Sequence, residues 1–126
     1  ALPHLKEAGG GSIINISSIG AVKPETGIGI YSVSKAALVS LTQVLAKEWG
    51  PYGIRANAIC PGLIKTKFSK ALWADEATRK RFMEHLPLGR LGEPEDLAAL
   101  AVFLASDASA YCTGSVFTAD GGFLIA

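Results

Sequence analysis

Three side chains in the first third of the sequence have the types and spacing for proton transfer at a carbonyl. Tyr31 and Lys35 stand four residues apart, so on a helix they share one face. Ser18 lies thirteen residues before Tyr31, just past an apolar run through Ile13, Ile14 and Ile16 that reads as a buried strand. The segment between is broken at Gly20, Pro24, Gly27 and Gly29, a loop able to bring Ser18 back toward the helix. A hydroxyl, a phenol and an ammonium would then line one pocket at the carboxyl end of a strand, where open α/β sheets bind ligands. A free phenol titrates near pH ~10 and is a poor base at neutrality. An ammonium about 4 Å away contributes roughly 4 kcal/mol at an effective dielectric near 20. That is enough to move a phenol down by up to about three units before desolvation is counted. Tyr31 is therefore the candidate acid/base for interconverting an alcohol and a carbonyl, and Ser18 the candidate donor that holds the substrate oxygen.

The elements that must position these groups are legible in the pattern around them. Residues 1–8 read as the end of a helix, stopped by Gly9-Gly10-Gly11. Residues 12–17 form a first strand, in which Asn15 needs partners if buried. A helix runs over residues 29–49, with Leu38, Leu41, Val44, Leu45 and Trp49 as the stripe that packs on the sheet and Ala36, Ala37 and Ser40 as a small flank. Gly50-Pro51-Tyr52-Gly53 ends it. Residues 54–60 form a second strand with Arg55 and Asn57 on one face, broken by Pro61-Gly62. Residues 68–86 mix Phe68, Leu72, Trp73, Phe82 and Met83 with charges, and read either as a surface helix pair or as a mobile lid over a substrate. After the turn 87–93, negative charge at Glu93, Glu95 and Asp96 favours the start of a helix that carries Leu97, Leu100, Ala101 and Leu104 inward. A last strand spans residues 115–118, then Asp120-Gly121-Gly122 turns the chain into an apolar tail, Phe123 to Ala126. The order strand, helix, strand, helix, strand gives an α/β fold with a three-stranded parallel sheet and right-handed crossovers.

Ser18, Tyr31 and Lys35, with Pro61-Gly62 after the second strand and Asp120-Gly121-Gly122 near the terminus, together resemble the short-chain dehydrogenase/reductase family. The resemblance runs through essentially the whole chain but covers about the carboxyl half of a usual member. It implies a Rossmann-like parallel sheet, here residues 1–126 as a single partial domain. It implies NAD or NADP as cofactor and a small-molecule alcohol or carbonyl as substrate. In that family the residues matching Ser18, Tyr31 and Lys35 are catalytic, and the lysine also holds the nicotinamide ribose. The loop of Pro61 and Gly62 touches the nicotinamide end; the Ile64 amide would meet the carboxamide, and the Thr66 hydroxyl the carboxamide or pyrophosphate. The stretch from Leu63 to Trp73 resembles the carbonyl-reductase branch. The family's glycine-rich phosphate turn, the residue that sorts NAD from NADP, the Asn-Ala-Gly strand end and a further catalytic asparagine have no match in the chain. Gly27 and Gly29 do not follow a strand directly and lack the phosphate-turn spacing. Two functions stay open: an oxidoreductase, or a catalytically incomplete half-domain that only self-associates.

Bulk composition narrows the classes. Length fits one domain, 49% of the residues are hydrophobic and the formal net charge is +1, so a packed core is expected and a nucleic-acid footprint is not. No uninterrupted apolar run approaches a membrane helix, and no signal peptide is recognisable. Cys60 and Cys112 have no metal spacing and read as reduced thiols of a cytoplasmic protein, and His4 and His85 lack ligand-like neighbours. A homo-oligomer is expected. Its interface is left among three surfaces: the edge of the first strand, the small flank of the helix, and the tail.

Overall fold

Residues 13–16 and 54–61 are largely apolar and become neighbouring strands that pack against helices, β2 buried and β1 half-buried at the sheet edge. The computed structural model describes residues 1–126. A short helix α1 (Leu2–Glu7) precedes strand β1 (Gly11–Ile16); helix α2 (Gly29–Trp49) leads to strand β2 (Ile54–Pro61). Two short helices follow, α3 (Lys70–Ala74) and α4 (Glu76–Glu84), then helix α5 (Glu95–Ala105) and strand β3 (Val116–Ala119). The three strands are all parallel in the order β1-β2-β3. The expected topology is therefore found, with strand ends displaced by one residue.

Strand β2 is the centre. Ile54, Ala56, Ala58, Ile59 and Cys60 are buried on both of its faces. Fully burying side chains of this size is worth about 1.5–3 kcal/mol for each isoleucine. Arg55 and Asn57 do share a face, and both close the polar ends of neighbouring segments. Arg55 donates to the carbonyls of Leu104 (3.0 Å) and Ser106 (3.1 Å) at the end of α5, where a cation complements the helix dipole. Asn57 donates to the Cys112 carbonyl (2.8 Å) and accepts from the Ser115 amide (3.1 Å), fixing the loop that delivers β3. Asn15 also finds its partner: its amide donates to the Thr42 hydroxyl (2.9 Å), which donates onward to the Leu38 carbonyl.

Helix α2 occupies the expected residues but turns a different face inward. The fully buried positions are Ser32, Thr42 and Ala46, with Leu38 and Leu45 half-buried beside them, whereas Leu41 and Val44 of the expected stripe are exposed. Small side chains let the helix axis approach β2, and hydrogen bonds to Asn15 and Ser17 draw it in. A stripe of large residues alone would hold it further out. The outer face presents Ile30, Val33, Leu41 and Val44. The expectation about membrane-length segments also needs correcting. Although no run is uninterrupted, Gly29–Tyr52 is long and apolar enough to cross a membrane by length and composition. Alanine, leucine and valine spread around all sides of α2 raise its average; within this fold one side packs on β2.

Asn57→Ala is expected to destabilise the protein by about 1–3 kcal/mol, since it strands the half-buried Ser115 amide and Cys112 carbonyl together. Urea unfolding with an unchanged slope and a lowered midpoint is the expected reading.

Candidate active site

The strand register assembles the site. Ile16 pairs with Ile59 and Pro61 with Ala119, so Ser17-Ser18, Pro61-Gly62 and Asp120-Gly121 leave the sheet side by side at its carboxyl edge. The Ser17 amide still donates to the Ile59 carbonyl (2.7 Å), and the Gly62 amide to the Ala119 carbonyl (2.9 Å). Gly62 passes so close to the last turn that a Cβ there would sit 2.8 Å from Asp120 Cα, a position open to glycine alone.

Ser18, two residues past the end of β1, is extended and caps the short 3-10 turn Ile19–Ala21, its Oγ accepting from the Gly20 amide (3.1 Å). Tyr31 stands in the first turn of α2, half-buried like Ser18. Gly20 lies between the two: a Cβ placed on it would come 3.4 Å from Ser18 Oγ and 3.7 Å from Tyr31 Cε1. Lys35 follows one turn later and is held from two sides. Its Nζ donates to the Ile16 carbonyl (3.0 Å) and lies 5.5 Å from the centre of the Tyr31 ring, while its own carbonyl accepts from Ser17 Oγ (2.8 Å). Ser18, Tyr31 and Lys35 thus come together around the end of β1.

The second group of expected residues forms the loop after β2. Pro61 is buried and Gly62 and Ile64 are half-buried. The Ile64 N–H, like that of Leu63, has no protein acceptor, while the two amides that follow do: the Lys65 amide donates to the Gly92 carbonyl (2.8 Å) and the Thr66 amide to Ser69 Oγ (3.1 Å). Thr66 is committed locally, its Oγ1 paired with Ser69 Oγ at 3.0 Å and accepting from the Ser69 amide, so it closes the turn that starts α3. Beyond it, Phe68 is exposed with its ring 6.4 Å from that of Tyr31. Trp73, Phe82 and Met83 pack on a cluster of Ile19, Leu63, Leu86, Leu91 and Phe123. The segment is therefore a helix pair packed on the apolar cluster, with one aromatic, Phe68, beside the phenol.

A cavity of about 230 Å³ lies behind the loop, among Gly62, Ile64, Arg90, Gly92 and Asp120. An open groove of about 390 Å³ runs between residues 23–28 and α4. Ser18, Tyr31 and Lys35, all half-buried, line neither. Two serines beside the expected residues escaped the sequence reading. Ser17 ties β1 to α2, and Ser32, only 3% exposed, has a hydroxyl with no hydrogen-bond partner that faces Gly20. The signal for Ser32 was its place between Tyr31 and Lys35, which the helical period turns toward the sheet.

Comparison with known proteins gives consistent neighbours. The family model described as enoyl-(acyl carrier protein) reductase matches residues 1–124. Dehydrogenase/reductase SDR family member 4 of Oryctolagus cuniculus is 46% identical over 121 residues, covering 96% of this chain and 46% of that protein. The 7alpha-hydroxysteroid dehydrogenase of Clostridium sardiniense is 46% identical over 125 residues, covering 99% of this chain and 47% of the relative. The solved structure of a gluconate 5-dehydrogenase from Burkholderia cenocepacia J2315, in complex with NADP and tartrate, superposes with a TM-score of 0.95 at 35% identity. It covers 98% of this chain and 49% of that one. The chain thus spans about half the length of the relatives it matches.

Ser32→Ala is expected to keep or raise the urea midpoint, because an unpaired buried hydroxyl carries a desolvation cost of about 1–3 kcal/mol. Ser17→Ala, which deletes a made hydrogen bond, is expected to lower stability by about 1 kcal/mol. Paired urea melts of the two variants check the contrast.

Proposed function

The chain belongs to the short-chain dehydrogenase/reductase family, and from that premise we propose that it carries the proton-transfer half of an NAD(P)-dependent alcohol–carbonyl oxidoreductase. The observation that carries the reading is the convergence of Ser18, Tyr31 and Lys35 at the end of β1. In the reducing direction, Ser18 Oγ donates a hydrogen bond to the carbonyl oxygen and Tyr31 gives it the phenolic proton. Oxidation reverses the transfer. The Lys35 ammonium stabilises the negative charge that develops on the phenol oxygen and reaches toward the ribose of the cofactor. Ile16 holds that ammonium in place.

The nicotinamide cofactor, NAD or NADP, supplies or accepts the hydride at the substrate carbon. The residues present fit its nicotinamide end: the Ile64 N–H is unpaired and outward, as a donor to the carboxamide must be, and Pro61 and Gly62 bring the backbone close. Thr66 fits less directly, since its hydroxyl already bonds Ser69. The glycine-rich phosphate turn has no counterpart among the 126 residues, so residues 1–126 act as a partial Rossmann-like domain. The chain by itself is then expected to bind NAD(P) weakly or not at all. The substrate is a small alcohol or its carbonyl partner, with Phe68 and the α3–α4 segment as its cover.

In an assembled enzyme that binds NAD(P), Tyr31→Phe is expected to cut turnover by about 10²–10⁴-fold with cofactor affinity preserved. Lys35→Ala is expected to damage both. Steady-state kinetics with a cofactor titration measure this, and near-normal turnover in Tyr31→Phe would overturn the assignment.

The protein is also expected to be a homo-oligomer. The outer face of α2, with Ile30 85% and Val33 66% exposed, is the surface that best fits a second copy. Leu41→Glu should lower the sedimenting mass. A wild-type chain that stays monomeric at high concentration would contradict the proposal.

A further inference from the structure

The turn 90–96 lies outside the residues assigned to catalysis or cofactor contact, yet it grips the cofactor loop with unusual economy. Ile64 and Gly92 form an isolated parallel bridge. Its two hydrogen bonds use the groups flanking Ile64 rather than its own: the Gly92 amide donates to the Leu63 carbonyl (3.1 Å), and the Lys65 amide to the Gly92 carbonyl (2.8 Å). In a parallel bridge of this kind the bridged residue's own N–H and C=O point to the opposite side. The Ile64 carbonyl, so directed, accepts from Ser69 Oγ. The Ile64 N–H is left free on that same outer side.

The turn itself is braced. Arg90 binds the Asp96 carboxylate through both nitrogens at 2.7 and 2.8 Å and also donates to the Leu91 carbonyl. Asp96 further accepts from the Glu93 amide at 2.8 Å. Lys65 reaches across to Glu93 at 2.6 Å, adding a side-chain tie beside the backbone bridge. The Arg90 guanidinium, with the Glu93 amide, holds the Asp96 carboxyl well below the usual carboxylate range. Such a pairing is intact above the unfolded carboxylate pKa and is lost only on acidification through the lowered folded value. Gly92 completes the fit, because a Cβ there would sit within contact distance of Ile64 Cδ1 and push that side chain off the turn.

We propose that Gly92 and the braced turn around it are positioning elements for the reaction, a strap that aims the Ile64 N–H at the nicotinamide carboxamide. The proposal rests on the oxidoreductase reading for its ligand, but its geometry belongs to this chain alone. Displacing the strap should disturb cofactor placement without touching Tyr31, Lys35 or Ser18.

The test is a double-mutant cycle in the assembled enzyme. Gly92→Ala is expected to raise the KM for NAD or NADP about tenfold while kcat changes by less than about threefold. Ile64→Val removes the methyl that Gly92→Ala would strike, so the double variant should return most of the way to wild-type KM, although each single change adds nothing favourable. Amide hydrogen exchange gives a readout independent of activity: the Lys65 amide should exchange faster in Gly92→Ala and be protected again in the double variant. An unchanged cofactor KM in Gly92→Ala, or a double variant no better than Gly92→Ala, would overturn the strap. If wild type neither binds nor turns over NAD(P), the oxidoreductase reading falls and the aiming role falls with it. The exchange pattern would then still report whether the bridge orders residues 63–65.

Discussion

β1, β2 and β3 pair in parallel with Ile16 opposite Ile59 and Pro61 opposite Ala119, so the strands end along one staggered line at the carboxyl edge, β1 two residues short of the other two. Every chemically useful turn hangs from that line. A slip of β1 by one residue would send Ser18 to the other side of the strand end and Ile13 to the face now held by Ile14, since side chains alternate with a period of two. The register is fixed by burial: β2 is covered on both faces, and Asn57 adds directional bonds to the loop entering β3. A single hydrogen-bonded asparagine in an apolar strand discriminates between registers more sharply than another isoleucine would, because only one alignment satisfies it.

Helix α2 is located by the same kind of argument. Its inward face is small and polar, and what binds it to the sheet is a set of specific bonds: Asn15 to Thr42, and Ser17 to the Lys35 carbonyl. The consequence for the site is positional accuracy. Tyr31 lies on the first turn of a helix of 21 residues whose body is locked to β1 and β2, so the phenol is carried by a rigid element, whereas Ser18 sits on a short turn that the Gly20 amide braces. The large apolar residues on the opposite face are then free to serve a contact that does not disturb the phenol.

The fold and the three central side chains were legible because their signals are local. Strand runs, helix period and glycine stops place each element within a residue or two, and the spacing from Ser18 to Tyr31 to Lys35 survives as geometry. The inward face of α2 was misread for a physical reason: hydrophobic periodicity ranks leucine and valine above serine, threonine and alanine, whereas close helix–sheet approach selects the small residues. Membrane-length composition was missed because a search for continuous apolar runs overlooks an average raised by alanine. The strap at Gly92 was beyond reach, since a bridge between residues 64 and 92 is non-local and has no periodic signature. Ser32 carries no apolar signal, and only the helical period between Tyr31 and Lys35 marks it as inward.

The hold on Lys35 explains why this position suits lysine. An ammonium has three donors, and the Ile16 carbonyl takes one of them at 3.0 Å. Two remain, directed away from the strand end, and a tetrahedral centre presents them at angles wide enough for two separate acceptors. The proposed roles ask for two: the phenol oxygen of Tyr31 and a cofactor hydroxyl. Arginine would bring more donors, but in one plane and over a wider charge, matched to a single carboxylate or phosphate rather than to oxygens in different directions. The bond to Ile16 also replaces part of the hydration that a half-buried ammonium loses, which lets the charge stay beside the Tyr31 ring without an acidic partner. A carboxylate in that place would neutralise the field that the proposed role requires at the phenol; a backbone carbonyl anchors the cation and leaves its charge intact.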